Sequence, residues 1–341
     1  LSLLSEIYHI AKGSISRRKM RLKEKITDIE GIRVGNAQDT EAGTGCTVII
    51  CEKGGCAGVD VRGGGPASHE TELLNPINTV DRVHGIVLSG GSAFGLEATS
   101  GVMQYLEERG IGFDVGIGVV PIVCGASLFD LTVGSSKVRP DKAMGYQACC
   151  NSEKNCIQEG NCGAGTGASV GKYRGMDRAM KSGLGIYCVE LENLKVGAIV
   201  GVNAIGNVID SETNKFLAGL LNEEKTEIIS TREEMWKDLD INYSVLKNTN
   251  TTIGCIITNA KLTKAQVTKI ASMTHNGYAR AISPVHTSLD GDTIFTLGTG
   301  EVEVNIDTLG TLSAYVMEKA IHRAVTQTQS AYGLKSCQDL K

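Results

Sequence analysis

The stretch NTTIGCIITNA, residues 250–260, is the sharpest change of composition along the chain. Before it, residues 222–250 are polar and rich in charge, with one helix predicted over 231–239, which is typical of a surface connector. After Asn250 threonine and isoleucine dominate, and these β-branched residues favour a buried strand. The sequence therefore predicts a core strand that begins where an exposed linker ends.

Strand and helix patterns alternate on both sides of this stretch. Downstream, the patterns predict a helix over 263–281, a strand over 293–297 and an amphipathic helix over 307–328. Upstream, they predict strands at 46–51, 57–61 and 84–89, a helix at 93–109, and successive antiparallel strands at 184–191, 195–203 and 207–210. This order predicts an α+β fold with a mixed or antiparallel sheet.

The composition is that of a globular chain with many tight turns. Its 341 residues are 41% hydrophobic and 21% charged, and 42 of them are glycine, well above the usual ~7%. The formal net charge of -4 provides no broad basic surface, so nucleic acid is not expected as a partner. The longest apolar run lies between Asp114 and Asp130 and is shorter than the ~20 residues of a membrane-spanning helix, so no membrane partner is expected.

The cysteines indicate a reducing compartment. Their number, 11, is odd, no C-x-x-C occurs, and Cys149 and Cys150 are adjacent, a pattern that suits reduced thiols in the cytoplasm. A zinc site at 149–162 is an alternative, but the spacing matches no standard finger, and we expect neither a metal nor a cofactor. The basic cluster near the N-terminus follows the short apolar stretch, the reverse of the order in a secretory signal. Met20 could be the natural start, and residues 1–25 are interpreted as an N-terminal extension.

Two glycine-rich segments and one serine could belong to a binding or catalytic motif. The clusters at 62–66 and 163–167 lack the full nucleotide-binding patterns and predict tight turns and close packing. Ser92 lies between a predicted strand and helix, but Phe94 stands where G-x-S-x-G requires glycine. A serine that caps the helix is the better interpretation.

Thr251 has both a catalytic and a structural interpretation. Its hydroxyl lies at the junction of linker and strand, where it could attack the preceding carbonyl, and cleavage there would expose a threonine whose own α-amino group can serve as base. A threonine pair that opens a strand is, however, also explained by β propensity. Asp290 and Asp292 likewise form either a hairpin turn around Gly291 or an acid/base pair.

Taken together, these residues resemble a known family of self-processing amidohydrolases. The family includes the DmpA-type aminopeptidase/D-esterases, the β-peptidyl aminopeptidases and the nylon-oligomer (6-aminohexanoate-oligomer) hydrolases. The matching blocks occur in order from Ile26 almost to the C-terminus: ITDIEGIRVG at 26–35, TGCTV at 44–48, DVRGG at 60–64, SGGSAFGL at 89–96, GTGASVGK at 165–172, VNA at 202–204, NTTIG at 250–254 and PVHTSLDGD at 284–292.

The resemblance implies a fold, a processing site and a set of catalytic residues. The fold is an αββα sandwich of the DmpA/ornithine acetyltransferase type, cut between Asn250 and Thr251 into an α-part (26–250) and a β-part (251–341) that stay associated and form homo-oligomers. Thr251 is then the nucleophile. Lys172 assists proton transfer, Asn203 donates to the oxyanion, and Asp290 and Asp292 orient or deprotonate the nucleophile.

The implied reaction is hydrolysis of amide bonds through an acyl-enzyme, on a small peptide, an amino-acid amide or an oligoamide. Two alternatives remain open on the sequence. The first is acyl transfer to an amine acceptor, as in ornithine acetyltransferases. The second is a non-catalytic, glycine-rich ligand-binding protein in which Thr251 is only a strand residue.

Overall fold

The computed structural model describes residues 20–23, 25–154, 156–239 and 250–340. Their α-helices are α1 (Ala98–Glu107), α2 (Lys142–Ser152), α3 (Thr231–Lys237), α4 (Lys264–Ala281) and α5 (Ile306–Thr326). Their strands are β1 (Met20–Lys23), β2 (Ile32–Asp39), β3 (Thr44–Val61), β4 (Ser68–His69), β5 (Val83–Ser89), β6 (Phe113–Asp114), β7 (Val119–Val120), β8 (Val123–Ser127), β9 (Ser169–Val170), β10 (Met180–Lys181), β11 (Leu184–Leu191), β12 (Leu194–Gly201), β13 (Asn207–Asp210), β14 (Lys215–Ala218), β15 (Leu220–Leu221), β16 (Ile228–Ile229), β17 (Ile253–Ala260), β18 (Ile282–Ser283) and β19 (Thr293–Val302). No helix within these ranges is long and apolar enough to cross a membrane.

The long strand β3 joins two halves of one large sheet. The strand order is β1-β11-β12-β17-β19-β3-β5-β8-β4, with β2 also paired to β3. Residues 56–61 of β3 pair with β19, whereas residues 44–51 pair with β2 and β5. The pairs β17/β19 and β5/β8 are parallel and the other pairs of this sheet are antiparallel, which confirms the predicted mixed sheet.

The two halves stack face to face between two helical layers. Successive strand residues point to opposite faces, so each half has one inner and one outer apolar face. The inner faces meet through Ile49, Leu88, Ile257 and Phe295. The outer face of the first half, which includes Val200 and Ile256, packs on α4 and α5, and the outer face of the second half, which includes Val48 and Val87, packs on α1 and α2. This is the αββα sandwich.

Strand β17 lies in the middle of the first half, between β12 and β19. Every residue of β17 is buried, as the run of β-branched residues predicts. The strand begins at Ile253, so Thr251 and Thr252 stand at its N-terminal end. The predicted helices downstream are also confirmed, with ends that differ by one or two residues.

Some elements differ from the predicted ones. The predicted strands 46–51 and 57–61 are one strand, β3, because a register shift between Ile50 and Gly55 carries the pairing across the glycines. The predicted helix at 93–109 begins as a 3-10 helix over Ser92–Glu97 before α1. Strand β1 pairs with β11 although it lies within residues 1–25, while residues 1–19 are outside the described residues.

Candidate active site

Thr251 is held by backbone hydrogen bonds at the end of β17. Its amide nitrogen donates to the Asn203 carbonyl oxygen at 2.9 Å. Its side-chain Oγ donates to the carbonyl oxygen of Asn250, the residue that precedes it. Thr251 is 4% exposed and Asn250 2%, so both lie inside the protein. The hydroxyl thus lies against the peptide bond that self-cleavage would break.

The segment with the two aspartates runs beside this backbone. The amide nitrogen of Gly291 donates to the Asn250 carbonyl oxygen at 3.1 Å, and Asp292 Oδ1 accepts from the Thr252 amide nitrogen at 2.8 Å. The contact continues the parallel pairing of β17 and β19. The hairpin interpretation of this segment is wrong, because β18, the strand before β19, pairs with β13 instead.

The two carboxylates differ in how their oxygens are bonded. Asp292 Oδ2 accepts from the backbone nitrogen of His286 at 3.0 Å and is hydrogen-bonded to the ring Nδ1 of His286 at 2.8 Å. Because Oδ1 accepts from Thr252, both oxygens of Asp292 have partners. Asp290 Oδ2 accepts from the Thr287 hydroxyl at 2.6 Å, whereas Oδ1 has no hydrogen-bond partner in the described part of the chain. Burial, together with the nearby charge of Asp292, raises the pKa of Asp290 to about 6. Asp290 thus combines an oxygen without a partner in the described residues with a raised pKa.

Lys172 and Asn203 complete the cluster. Lys172 begins a short 3-10 helix, and its Nζ donates to the Asn203 carbonyl oxygen at 3.0 Å and to Asn203 Oδ1 at 2.8 Å. The carbonyl oxygen of Asn203 is thus shared with the amide nitrogen of Thr251. Burial lowers the pKa of Lys172 to about 7, whereas the negative charges of Asp290, Asp130 and Asp292 act to raise it. An amine with this pKa can take up and release protons near neutral pH.

Asn203 is itself held in a fixed orientation. It follows β12, and its Nδ2 donates to the carbonyl oxygen of Phe129 at 2.8 Å. Its Oδ1 accepts from the Ser169 amide nitrogen at 3.1 Å as well as from Lys172. The structure thus brings Thr251, Lys172, Asn203 and the two aspartates into one buried cluster.

The glycine-rich segment 62–66 packs against the aspartates. The Gly65 amide nitrogen donates to the Asp290 carbonyl oxygen at 2.8 Å. A Cβ atom on Gly63 would lie 2.3 Å from the Asp292 nitrogen, so only glycine allows this approach. The prediction of close packing is confirmed. The interpretation of Ser92 as a cap is wrong, because Gly91 is the N-cap and no side chain caps this helix.

The model of peptidase family S58 matches residues 24–338. The chain belongs to peptidase family S58. It is 37% identical to an uncharacterized aminopeptidase of Mycobacterium tuberculosis, covering 92% of this chain and 97% of that protein. It is 30% identical to the 6-aminohexanoate-oligomer endohydrolase of Paenarthrobacter ureafaciens, covering 87% of this chain and 84% of that protein.

Solved structures of two aminopeptidases share the fold of this S58 chain. The L-aminopeptidase D-Ala-esterase/amidase of Ochrobactrum anthropi, described as a variant of the Ntn hydrolase fold, superposes with a TM-score of 0.66 at 18% identity, over 89% of this chain and 86% of that one. The β-aminopeptidase of a Burkholderia species superposes with a TM-score of 0.65 at 19% identity, over 93% of this chain and 92% of that one. The family and its relatives identify the chain as a hydrolase that acts on amide bonds.

Some residues of this S58 site are not among those expected from the sequence. His286 bonds Asp292, Thr287 bonds Asp290, and the buried Asp130 lies close enough to influence Lys172. His286 and Thr287 fall inside the matching block 284–292, so their position next to the aspartates was a usable signal. Asp130 carries no such signal, because its partners are distant in sequence.

Proposed function

We propose that this S58 hydrolase cleaves its own chain between Asn250 and Thr251, and that the new N-terminal Thr251 is the nucleophile of amide hydrolysis. The observation that carries the proposal is the hydrogen bond from Thr251 Oγ to the Asn250 carbonyl oxygen. It holds the hydroxyl against the group that it would attack. Positioning of this kind converts an unfavourable encounter into an intramolecular step.

The proposed self-cleavage proceeds through an ester. Thr251 Oγ attacks the carbonyl carbon of Asn250 and loses its proton to a nearby base, the C–N bond breaks, and the nitrogen of Thr251 takes up a proton to become an amine. Water then hydrolyses the ester, which leaves a carboxylate on Asn250 and restores the hydroxyl. The free α-amine and hydroxyl are now on one residue, as an N-terminal nucleophile requires.

The neighbouring groups suit the same chemistry on a substrate amide. In the proposal, Lys172 relays the proton of the Thr251 hydroxyl, and the pKa of about 7 supports that role. Asn203 Nδ2 is the oxyanion donor, in an orientation fixed by Phe129 and Ser169. Asp290 holds the α-ammonium and exchanges its proton, and Asp292 fixes the backbone of Thr252.

Self-cleavage is tested by the denatured intact mass of the purified protein. We expect two pieces, with the smaller one spanning the 91 residues 251–341 and beginning at Thr251. Thr251→Ala removes the attacking hydroxyl and is expected to stay whole and inactive. The matched control is Thr252→Ala, because this neighbouring buried hydroxyl has no hydrogen-bond partner in the described residues. We expect this control to cleave; a Thr251→Ala chain that cleaves or hydrolyses amides normally overturns the proposal.

For the substrate, we propose small peptides, amino-acid amides or 6-aminohexanoate oligomers. The proposal follows the names of the relatives, which are aminopeptidases and oligomer endohydrolases. The test compares release of p-nitroaniline from L-, D- and β-alanyl-p-nitroanilides with release of shorter products from 6-aminohexanoate oligomers. We expect at least one class to be hydrolysed by the cleaved protein and not by Thr251→Ala. Failure on both classes would overturn the substrate proposal while leaving self-cleavage intact.

A further inference from the structure

A buried carboxylate, Asp130, lies beside the site and has no part in the reaction described above. It is 2% exposed. Its Oδ1 accepts from the Gly91 amide nitrogen at 2.7 Å, and its Oδ2 accepts from the Thr44 hydroxyl at 2.8 Å. Both donors are neutral, so these bonds orient the carboxylate without neutralising it. A buried charge of this kind requires compensation from nearby cations.

Two buried lysines provide the compensation. Lys172 and Lys181 are 3% and 0% exposed, and the charge of Asp130 favours the protonated form of each. Lys181 Nζ donates to the carbonyl oxygens of Gly165 and Ala168, both at 3.0 Å, and to that of Ser182. These acceptors are neutral groups. The charge of Asp130 therefore acts on both ammonium groups. Asn203 connects Lys172 to this loop, because its Oδ1 accepts from Lys172 Nζ at 2.8 Å and its Nδ2 donates to the carbonyl oxygen of Phe129 at 2.8 Å.

Two glycines pack closely against the side chain of Asp130. A Cβ atom on Gly90 would lie 1.9 Å from Asp130 Oδ2, and one on Gly167 would lie 2.7 Å from Asp130 Cβ. The two glycines thus close around the side chain from two different loops. The preceding residue, Phe129, accepts the hydrogen bond from Asn203 Nδ2. Asp130 therefore holds a negative charge in place, and its chain neighbour Phe129 helps to fix the orientation of Asn203.

We infer that Asp130 is a positioning residue for hydrolysis, which sets the protonation state of Lys172 and holds the loop that orients Asn203. The inference rests on the proposed function, where Lys172 relays the proton of Thr251. The charges of Asp130, Asp290 and Asp292 act on Lys172. Asp130 itself faces Lys172, Lys181 and the phenol of Tyr332.

The sign of the effect follows from these charges. Burial raises the pKa of Asp130 to about 6, so the carboxylate is ionised above that pH. Its negative charge favours protonated Lys172 and raises the Lys172 pKa, which burial holds at about 7. Neutral Lys172 accepts the proton, so activity rises with pH through this pKa. Loss of the Asp130 charge lowers the Lys172 pKa and moves the acid limb of the profile to lower pH.

The test is the pH profile of kcat/KM for Asp130→Asn, which removes the charge with little change of shape. We expect the midpoint of the acid limb to fall by roughly half a pH unit or more. The matched control is Glu303→Gln, which removes the charge of an exposed carboxylate paired with Lys261 and is expected to keep the wild-type midpoint. An unchanged midpoint in Asp130→Asn overturns the inference.

A second measurement separates this inference from the proposed function. The Lys172 side chain is titrated by NMR in the Thr251→Ala protein, with and without Asp130→Asn, and its resonance is assigned with Lys172→Met. If the Lys172 titration midpoint is lower in the protein with both Thr251→Ala and Asp130→Asn, the electrostatic link between Asp130 and Lys172 is supported even if Thr251 is not the nucleophile. A Lys172 midpoint that does not move overturns this link. A lower Lys172 midpoint with an unchanged activity profile also overturns the inference, and it shows that the part that fails is the role proposed for Lys172.

A milder variant covers the case in which Asp130→Asn does not fold. Thr44→Val keeps the carboxylate but removes one of its donors, so the pKa of Asp130 rises and its charge is lost at a higher pH. We expect the Lys172 midpoint to move in the same direction by a smaller amount. A shift to higher pH overturns the inference.

Discussion

Around Thr251 the backbone fixes most of the geometry. The amide of Thr251 bonds Asn203, the amide of Gly291 bonds Asn250, and the amide of Thr252 bonds Asp292. Because all three bonds are made by main-chain donors, the Thr251 hydroxyl and the Asn250 carbonyl that it is proposed to attack are held largely by the backbone. Small displacements of this backbone should therefore affect the reaction strongly.

Gly291 provides a test of this rigidity. A Cβ atom there would lie 2.7 Å from Thr251 Oγ and 2.7 Å from the Gly65 carbonyl oxygen. Both contacts are too short, so Gly291→Ala must displace these atoms or its own backbone, and we expect self-cleavage to slow on the order of 10- to 100-fold. The rate is measured by mass spectrometry of freshly synthesised protein. Gly118→Ala, where no heavy atom lies within 4 Å, is the control and should cleave normally; equal rates for the two variants would contradict the expectation.

The residues of the candidate site differed in how far they could be predicted. Thr251, Lys172, Asn203, Asp290 and Asp292 each fall in a block that resembles the family, and the structure brings them together. Asp130 could not be found in this way. Its Thr44 partner is 86 positions away in sequence, and such a contact exists only once the sheet has formed.

At the scale of elements, helix α4 holds a long surface segment in place. Lys264 lies at its first turn, and Nζ donates to the carbonyl oxygens of Leu73, Asn78 and Val80 at 2.8 to 3.0 Å. One ammonium group thus satisfies three carbonyls of a segment with little regular structure. The position of this segment depends on the helix, since no strand pairs with it over 75–82.

Removal of this ammonium should loosen the segment. Lys264→Met keeps the length of the side chain but leaves three carbonyls without their donor, and we expect the free energy of unfolding to fall by about 1–3 kcal/mol. Urea unfolding measures the loss, and hydrogen exchange over 73–80 should increase. The control is Lys269→Met on the exposed face of the same helix. Equal stability of the two variants would show that the three bonds contribute nothing.

The type of each helix or strand could be predicted, because hydrophobic periodicity depends on local sequence. Some boundaries of these elements could not be predicted. The glycines at 54 and 55 suggest a break between two strands, yet the structure continues β3 through them. Gly54 adopts a φ of +70°, which lets the strand bend and change its pairing register without ending. A turn and a bulge have the same sequence pattern here, and only the partner strands decide between them.

At the scale of the whole molecule, the strand order could not be derived from the sequence. Strand β17 lies between β12 and β19, and β19 in turn pairs with β3, more than 200 residues earlier in the chain. The resemblance to the family implied the sandwich, but hydrophobic patterns alone specify only which faces are apolar. Pairing between distant strands depends on the packing of the complete core.

The same strand order predicts that the two parts stay together after the proposed cleavage between Asn250 and Thr251. Strands β17 and β19 come from residues 251–341, yet they pair on both sides with strands β12 and β3 of the preceding part. Separation would expose both rows of backbone hydrogen bonds and the core between the sheets, so it should require unfolding. In gel filtration without denaturant we expect both pieces to elute together, at the volume of the uncleaved Thr251→Ala chain, and to separate only in urea. Elution of the 91-residue piece as a separate folded species would show that the sheet does not hold the parts together.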